Sequence, residues 1–174
     1  MKNYGNKKSN KKITEKITRA AIIAAFYAGL TLAVYPISFG AWQIRISEAL
    51  TVLPFYFPEA IPGLFVGCLL SNLITMNVFD IIFGSLATLL AAYLSFLCSK
   101  LGKKGKLLSL VPPVLINAIV VSAVLTFSMT GDRSFGITFL INFATVFVGQ
   151  AISCFGLGFA LSFLIEKVKD KIIK

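Results

Sequence analysis

The chain has 174 residues, 57% of them hydrophobic, and its mean hydropathy of +0.85 is far above that of soluble globular proteins. Between residues 20 and 99 only four side chains are charged, namely Arg45, Glu48, Glu59 and Asp80. Because a soluble domain needs charge over its whole surface, this composition excludes one and predicts a protein embedded in a lipid bilayer.

The formal net charge of +10 does not indicate nucleic-acid binding. The basic residues cluster at 2–19, 100–106 and 167–174, beside apolar runs, and no polar globular segment separates them. Basic flanks of this kind are a signal of membrane topology. We therefore expect a basic cytoplasmic segment at 1–19, a transmembrane domain at 20–166 and a basic cytoplasmic tail at 167–174.

The residue types for common catalytic chemistry are missing. The chain has no histidine, which removes the usual general base and the commonest metal ligand. Cys68, Cys98 and Cys154 stand far apart in apolar segments, as small buried hydrophobes do. No glycine-rich phosphate loop ending in Lys-Ser or Lys-Thr occurs. We predict that the chain is not an enzyme and holds no cofactor or metal.

Six apolar runs follow one another along the chain, at residues 20–35, 44–57, 63–75, 80–99, 107–129 and 135–165. Since a spanning helix needs about 20 residues, the prediction is an all-α bundle of six transmembrane helices. The second run is short and contains Pro54, so it should be kinked, tilted or partly outside the membrane. The sixth is over-long and should be tilted. We expect an interfacial turn near residues 12–18 and loops at 36–43, 58–63, 76–78, 100–106 and 130–134.

The basic clusters predict the orientation. Six crossings place all three clusters on one side, which the positive-inside rule makes the cytoplasmic side. Both termini are then cytoplasmic in a multi-pass protein of the cell membrane. An odd number of crossings before residue 100 would break this pattern, whereas two crossings there would keep it, although the length argues for four.

The first apolar run carries small residues at helical spacing. Such ladders let a second helix approach closely in lipid. The ladders are Ala20, Ala24 and Ala28, and Ala21, Ala25 and Gly29. They are explained either by packing inside the same bundle or by docking of a separate membrane subunit.

Charged and aromatic residues open the second run. Arg45 and Glu48 are three residues apart, which places them on one face of a helix. They could form a local ion pair, or they could be part of a ligand site, since charges inside a membrane are costly and mark function. Trp42 and Tyr35 flank them as interfacial aromatics or as stacking partners for a ligand.

Most members of a set of polar side chains lie in the predicted outer half of the bundle, with Asn117 near the middle of its run and Gln150 deeper. The set is Asn72, Asp80, Asn117, Asn142 and Gln150. Hydrogen bonds between helices explain any one of them, whereas their common depth is expected of a pocket that opens outward. Glu59 lies at the opposite side, where it suits a helix N-terminus or a subunit contact.

Three blocks carry a family resemblance. They read RISEALTVLPF at 45–55, AIPGLFVGCLLSN at 60–72 and DIIFGSLATLLAA at 80–92. With these blocks the chain, from about residue 20 to 165, resembles the QueT family, the substrate-binding S components of energy-coupling factor (ECF) transporters. The resemblance implies a six-helix bundle that captures queuosine precursors, chiefly 7-aminomethyl-7-deazaguanine, from outside.

The resemblance also implies partners. A transmembrane T subunit and two cytoplasmic ATPases would supply the energy, so the chain itself needs no chemistry. S components commonly meet the T subunit through small residues of their first helix. The corresponding residues are Ala20, Ala21, Ala24, Ala25 and Ala28.

The proposed ligand suggests roles for the polar residues. A carboxylate matches two adjacent N–H donors of a guanine-like edge, and a second carboxylate can hold the amine, so we expect Glu48 and Asp80 to bind it. Arg45 would orient Glu48, and Trp42 or Tyr35 would stack on the ring. The ring carbonyl and ring nitrogens could form hydrogen bonds with side-chain amides, namely those of Asn72, Asn117, Asn142 and Gln150.

Three alternatives remain open at the level of sequence. The chain could be an S component for another vitamin-like substrate. It could be a self-sufficient secondary transporter, although such transporters are often built from repeated halves and no convincing repeat is present. It could also be a membrane scaffold in which the polar residues are structural.

Overall fold

A computed structural model describes residues 2–39, 43–130 and 135–172, and these residues form helices and turns without a β-strand. The all-α prediction is confirmed. Four segments depart from α-helical geometry, and we call the three longer ones the 3₁₀ segment, the first π segment and the second π segment. The elements in chain order are α1 Lys2–Ala33, α2 Tyr35–Ser38, the 3₁₀ segment Ile46–Phe55, α3 Ala60–Leu73, the first π segment Asp80–Gly84, α4 Ser85–Cys98, a 3₁₀ turn Ser99–Leu101, α5 Lys103–Leu108, α6 Val111–Thr130, α7 Phe135–Ala151, the second π segment Ile152–Gly158 and α8 Phe159–Ile172.

Four helical stretches within the described residues are long and apolar enough to cross a membrane. They are Asn10–Ala33, Asp80–Leu101, Lys104–Met129 and Phe135–Val168. Two shorter apolar helices, Ile46–Phe55 and Ala60–Leu73, coincide with the second and third predicted runs. The chain is therefore a multi-pass membrane protein, while six crossings and two cytoplasmic termini stay predictions.

Several predicted breaks are helical instead. The turn expected near residues 12–18 is wrong, because α1 continues through it and Thr14 and Thr18 bond back to the carbonyls four residues earlier. The loop expected at 100–106 is interrupted by α5, which begins directly after Gly102, a glycine with a φ of +64°. Part of the loop expected at 36–43 is the short helix α2. The turn predicted at 76–78 lies at 74–77 instead, because α3 ends at Leu73 and Val78 is already helical.

The 3₁₀ segment is the longest stretch of the described chain that departs from α-helical geometry. It runs for ten residues with Pro54 inside it, whereas 3₁₀ runs longer than three or four residues are uncommon. At three residues per turn, Glu48 and Thr51 lie on the same side, and the Thr51 hydroxyl donates to the Glu48 carbonyl at 2.6 Å. This geometry keeps Ser47, Glu48 and Thr51 buried together.

Helices α1 and α3 pack backbone to backbone. A Cβ added at Gly63 would lie 2.7 Å from the carbonyl oxygen of Ala20, and one at Gly67 would lie 2.8 Å from that of Ala24. The first small-residue ladder therefore packs inside the bundle along Ala20 and Ala24. Members of the second ladder, Ala21, Ala25 and Gly29, are exposed on the opposite face.

The end of the bundle that carries the basic clusters is held by ion pairs. Arg19 of α1 pairs with Glu59, which directly precedes α3, at 3.0 Å. Lys106 of α5 pairs with Glu166 of α8 at 2.8 Å. The Tyr56 hydroxyl donates to the carbonyl of Ser162 in α8 at 3.3 Å. The contacts of Glu59 and Tyr56 connect the turn that follows the 3₁₀ segment to α1 and α8.

Candidate ligand site

Five polar side chains from separate parts of the chain meet in the interior, and we call them the polar cluster. Arg45 precedes the 3₁₀ segment, Glu48 lies within it, Asn72 lies in the last turn of α3, Asp80 begins the first π segment and Asn117 belongs to α6. Their exposed fractions are 2%, 0%, 0%, 6% and 2%. Arg45 interacts electrostatically with both Glu48 and Asp80, and the Asn117 amide interacts with the Glu48 carboxylate.

Each member of the polar cluster has a buried atom without a hydrogen-bond partner among the described residues. A buried polar atom without a partner costs about 1–3 kcal/mol, and native proteins keep few of them. Five of the nine such atoms in the described part of the chain belong to this one cluster, which is the arrangement expected where a polar ligand binds. They are Arg45 Nη2, Glu48 Oε2, Asn72 Oδ1, Asp80 Oδ1 and Asn117 Oδ1.

Glu48 is held from two sides. The Tyr27 hydroxyl of α1 donates to Glu48 Oε1 at 2.5 Å. Behind the 3₁₀ segment, the Cys154 thiol of the second π segment donates to the Glu48 carbonyl at 3.7 Å. One turn beyond Tyr27, the hydroxyls of Thr31 and Ser47 are 2.6 Å apart. Helix α1 therefore anchors the segment that carries the carboxylate.

Of the two alternatives for Arg45 and Glu48, the local ion pair is not observed among the described residues. The ion pairs formed by the described residues are Arg19–Glu59 and Lys106–Glu166. Arg45 has extended backbone angles, φ −94° and ψ 100°, so it stands outside the helical turn that would have placed it on the face of Glu48. Its guanidinium lies over the Phe39 ring instead, 5.0 Å from the centroid.

Asn72 and Asp80 are joined through backbone. The Asn72 amide donates to the Asp80 carbonyl at 3.0 Å and to the Cys68 sulfur at 3.4 Å. A Cβ at Gly84 would lie 3.0 Å from the Asn72 Nδ2 atom and 3.8 Å from Asp80 Oδ1. A larger residue at position 84 would therefore press on the Asn72 amide. Segments of π geometry occur often at functional sites.

Four further residues were predicted for the site, and the three that the structure describes have other partners. Gln150 is buried, with its Oε1 atom 3.9 Å from the Cys154 thiol behind the 3₁₀ segment. Asn142 donates to Thr126 Oγ1 at 3.0 Å, which is a hydrogen bond between α7 and α6. Tyr35 is 40% exposed and packs on Phe39, with ring centroids 4.9 Å apart. Trp42 lies outside the described residues.

Three residues near the polar cluster were missed by sequence reasoning. Tyr27 follows Ala20 and Ala24 on the inner face of α1, and this spacing is the only signal that could have found it. Phe39 supplies the aromatic face over Arg45. Gln43 is buried, has an unpartnered Oε1 and adopts a φ of +48°, which is uncommon for a residue other than glycine. No sequence pattern marks the last two.

An apolar groove of about 410 Å³ lies elsewhere, between the first π segment, α6 and α7. Its walls include Phe79, Phe83, Ile119 and Phe127 and offer almost no polar surface. A ligand with an amine and several N–H groups would lose its hydrogen bonds there. The polar cluster is therefore the better candidate for such a ligand.

The stretch of chain that carries the polar cluster matches a known protein family. A sequence profile of the family described as QueT transporter matches residues 17–167, which include all five members of the cluster. The chain belongs to the QueT transporter family. It is similar to the queuosine precursor transporter QueT of Lactococcus lactis subsp. cremoris (strain MG1363), with 38% identity over 71 residues, and the alignment covers 40% of this chain and 42% of that relative. No solved structure matches the chain.

Proposed function

We propose that this QueT-family chain is the substrate-capture subunit of an ECF-type importer and that the polar cluster binds a queuosine precursor, 7-aminomethyl-7-deazaguanine, from outside. The observation that carries the proposal is the gathering of five buried side chains with unpartnered atoms. The name of the Lactococcus relative supports the substrate class.

The chemistry of the polar cluster suits this ligand. Two carboxyl groups, Glu48 and Asp80, face one guanidinium, so the cluster has an excess of acceptors for a ligand with one ammonium group and several N–H donors. Arg45 Nη2 would donate to the ring carbonyl. The unpartnered oxygens of Asn72 and Asn117 would accept further ring N–H groups.

Energy would come from partners in this proposal. A T subunit in the membrane and two cytoplasmic ATPases would drive the import. The exposed small face at Ala21 and Ala25 offers a surface that another helix could approach closely. Ala24 is buried against α3, which leaves it less available for that contact.

Calorimetry on the purified chain tests the ligand site. Glu48→Gln and Asp80→Asn should each weaken binding of 7-aminomethyl-7-deazaguanine about tenfold or more, since each removes a charge-assisted hydrogen bond. Glu59→Gln is the matched control, because Glu59 pairs with Arg19 away from the cluster, and its affinity should equal that of the wild type. If both cluster variants bind the ligand as tightly as the wild type does, the polar cluster is not the ligand site.

Co-purification tests the mode of transport. If the chain is an S component, it should co-purify with a T subunit and two ATPases, and uptake should stop when those subunits are deleted. Uptake that survives their deletion would favour a self-sufficient secondary transporter. A parallel binding screen with vitamins would show whether another substrate is preferred.

A further inference from the structure

We propose that Tyr27 is a positioning residue for Glu48, whose carboxylate it holds through one oxygen so that the other oxygen alone meets the ligand. The inference rests on the proposed function and adds a residue that the sequence did not single out. It also limits Glu48 to a one-point contact with the ligand, whereas the sequence predicted a two-point contact with the guanine-like edge from one of the two carboxylates.

The hydrogen bond itself is short and shielded from solvent. The Tyr27 hydroxyl donates to Glu48 Oε1 at 2.5 Å, and both residues have no exposed surface. This distance lies in the range of charge-assisted O–H···O⁻ bonds, which are about twice as strong as neutral ones. The second oxygen, Oε2, has no partner among the described residues.

Tyr27 is well placed to hold a flexible side chain because its own position is fixed. Its ring belongs to the core with Leu64, Cys68 and Ala92. A Cβ at Gly67 would lie 2.7 Å from the Tyr27 Cβ, so α3 closes directly on this residue. The Thr31–Ser47 contact ties the next turn of α1 to the 3₁₀ segment.

The bond also keeps two charges apart. Arg45 and Glu48 are three residues apart and interact electrostatically without forming an ion pair. A Glu48 carboxylate released from Tyr27 is free to turn toward Arg45. An ion pair there would satisfy both groups internally and withdraw them from the ligand.

A double-mutant cycle tests the role of Tyr27. The four proteins are wild type, Tyr27→Phe, Glu48→Gln and the double variant, titrated with 7-aminomethyl-7-deazaguanine. Tyr27→Phe should weaken binding about tenfold in the wild type, and less than about twofold when Glu48 is already Gln, because a residue that acts only through Glu48 has nothing left to position. Tyr93→Phe, which changes a tyrosine that is 49% exposed, is the control and should bind as the wild type does.

Each outcome decides the matter. An equal loss from Tyr27→Phe in both backgrounds, or no loss in the wild type, overturns the inference and leaves the proposed function standing. A wild-type chain that does not bind the probe overturns both. Should thermal unfolding show that Tyr27→Phe does not fold, a ligand-bound structure of the wild type replaces it: Tyr27 should stay within about 3.2 Å of Glu48 Oε1 while the ligand meets Oε2 alone, and a ligand bonded to both oxygens overturns the inference.

Discussion

The surroundings of Arg45 make it suited to bind a ligand. Its guanidinium is buried over Phe39 and keeps one nitrogen without a partner. A buried guanidinium is a planar fork of donors, which a lysine cannot reproduce. The residue is therefore suited to recognising a carbonyl on a flat ligand.

Replacing Arg45 by lysine should weaken binding of 7-aminomethyl-7-deazaguanine about tenfold, because the ammonium offers a point charge in place of the directed N–H group. Arg19→Lys is the matched control, since Arg19 pairs with Glu59 at the other end of the bundle. Isothermal titration of both variants checks this. If the two variants bind the ligand with equal affinity, the Arg45 guanidinium does not contact it.

Gly84 tests the neighbouring corner of the polar cluster. In Gly84→Ala the new Cβ would lie 3.0 Å from Asn72 Nδ2, so the amide should shift from the Asp80 carbonyl and ligand affinity should fall several-fold. Gly136→Ala meets nothing within 4 Å and serves as the control. If both variants bind as the wild type does, the placement of Asn72 does not matter for the ligand.

Charged members of the polar cluster were predicted from the sequence, whereas the aromatic residues beside them were missed. Arg45, Glu48 and Asp80 were predicted because a charge in an apolar run has few explanations. Tyr27 and Phe39 were not, because aromatic residues in membrane proteins serve packing, interfaces and ligands alike. The Tyr27–Glu48 bond also joins residues 21 positions apart, which only the tertiary structure reveals.

At the scale of elements, hydropathy predicted where the spans lie but not their helical type. Long apolar runs follow from the thickness of the bilayer, and the runs at 80–99 and 107–129 are helical in the structure. The 3₁₀ and π segments depend on hydrogen-bond register, which apolar composition does not encode. The 3₁₀ segment and the first π segment each carry a member of the polar cluster, and the second π segment contacts the Glu48 carbonyl through Cys154. The part of the fold that hydropathy did not predict is therefore the part around the candidate site.

Gly67→Ala should destabilise the protein by about 1–3 kcal/mol, the usual cost of overpacking, because its Cβ would meet the Tyr27 Cβ at 2.7 Å and the Ala24 carbonyl at 2.8 Å. Gly29→Ala lies on the exposed face of α1 and meets nothing within 4 Å, so its stability should match or exceed that of the wild type. Thermal unfolding in detergent measures both. Equal unfolding temperatures would mean that α1 and α3 are not in close contact.

At the scale of the whole molecule, α1 connects two features of the bundle. Its inner face carries Tyr27 and Thr31, which bond to the 3₁₀ segment. Its outer face exposes Ala21 and Ala25, where a partner subunit is proposed to dock. The account also requires that the site open away from the basic clusters.

Cysteine labelling on intact cells tests that orientation. Val78 is 62% exposed at the turn before the first π segment, and Lys104 is exposed at the start of α5. In a Cys98→Ser background, an impermeant maleimide should label Val78→Cys and spare Lys104→Cys. Cys68 and Cys154 are buried and should stay unlabelled. The reverse pattern would place the basic end outside and refute the proposed direction of capture.

A structure of the chain bound to 7-aminomethyl-7-deazaguanine tests the central proposal most directly. The account predicts ligand atoms within about 3.2 Å of Glu48 Oε2 and Asp80 Oδ1, with Tyr27 still bonded to Glu48 Oε1. A ligand seated in the apolar groove beside Phe83 and Ile119, with those two oxygens still without partners, would contradict it.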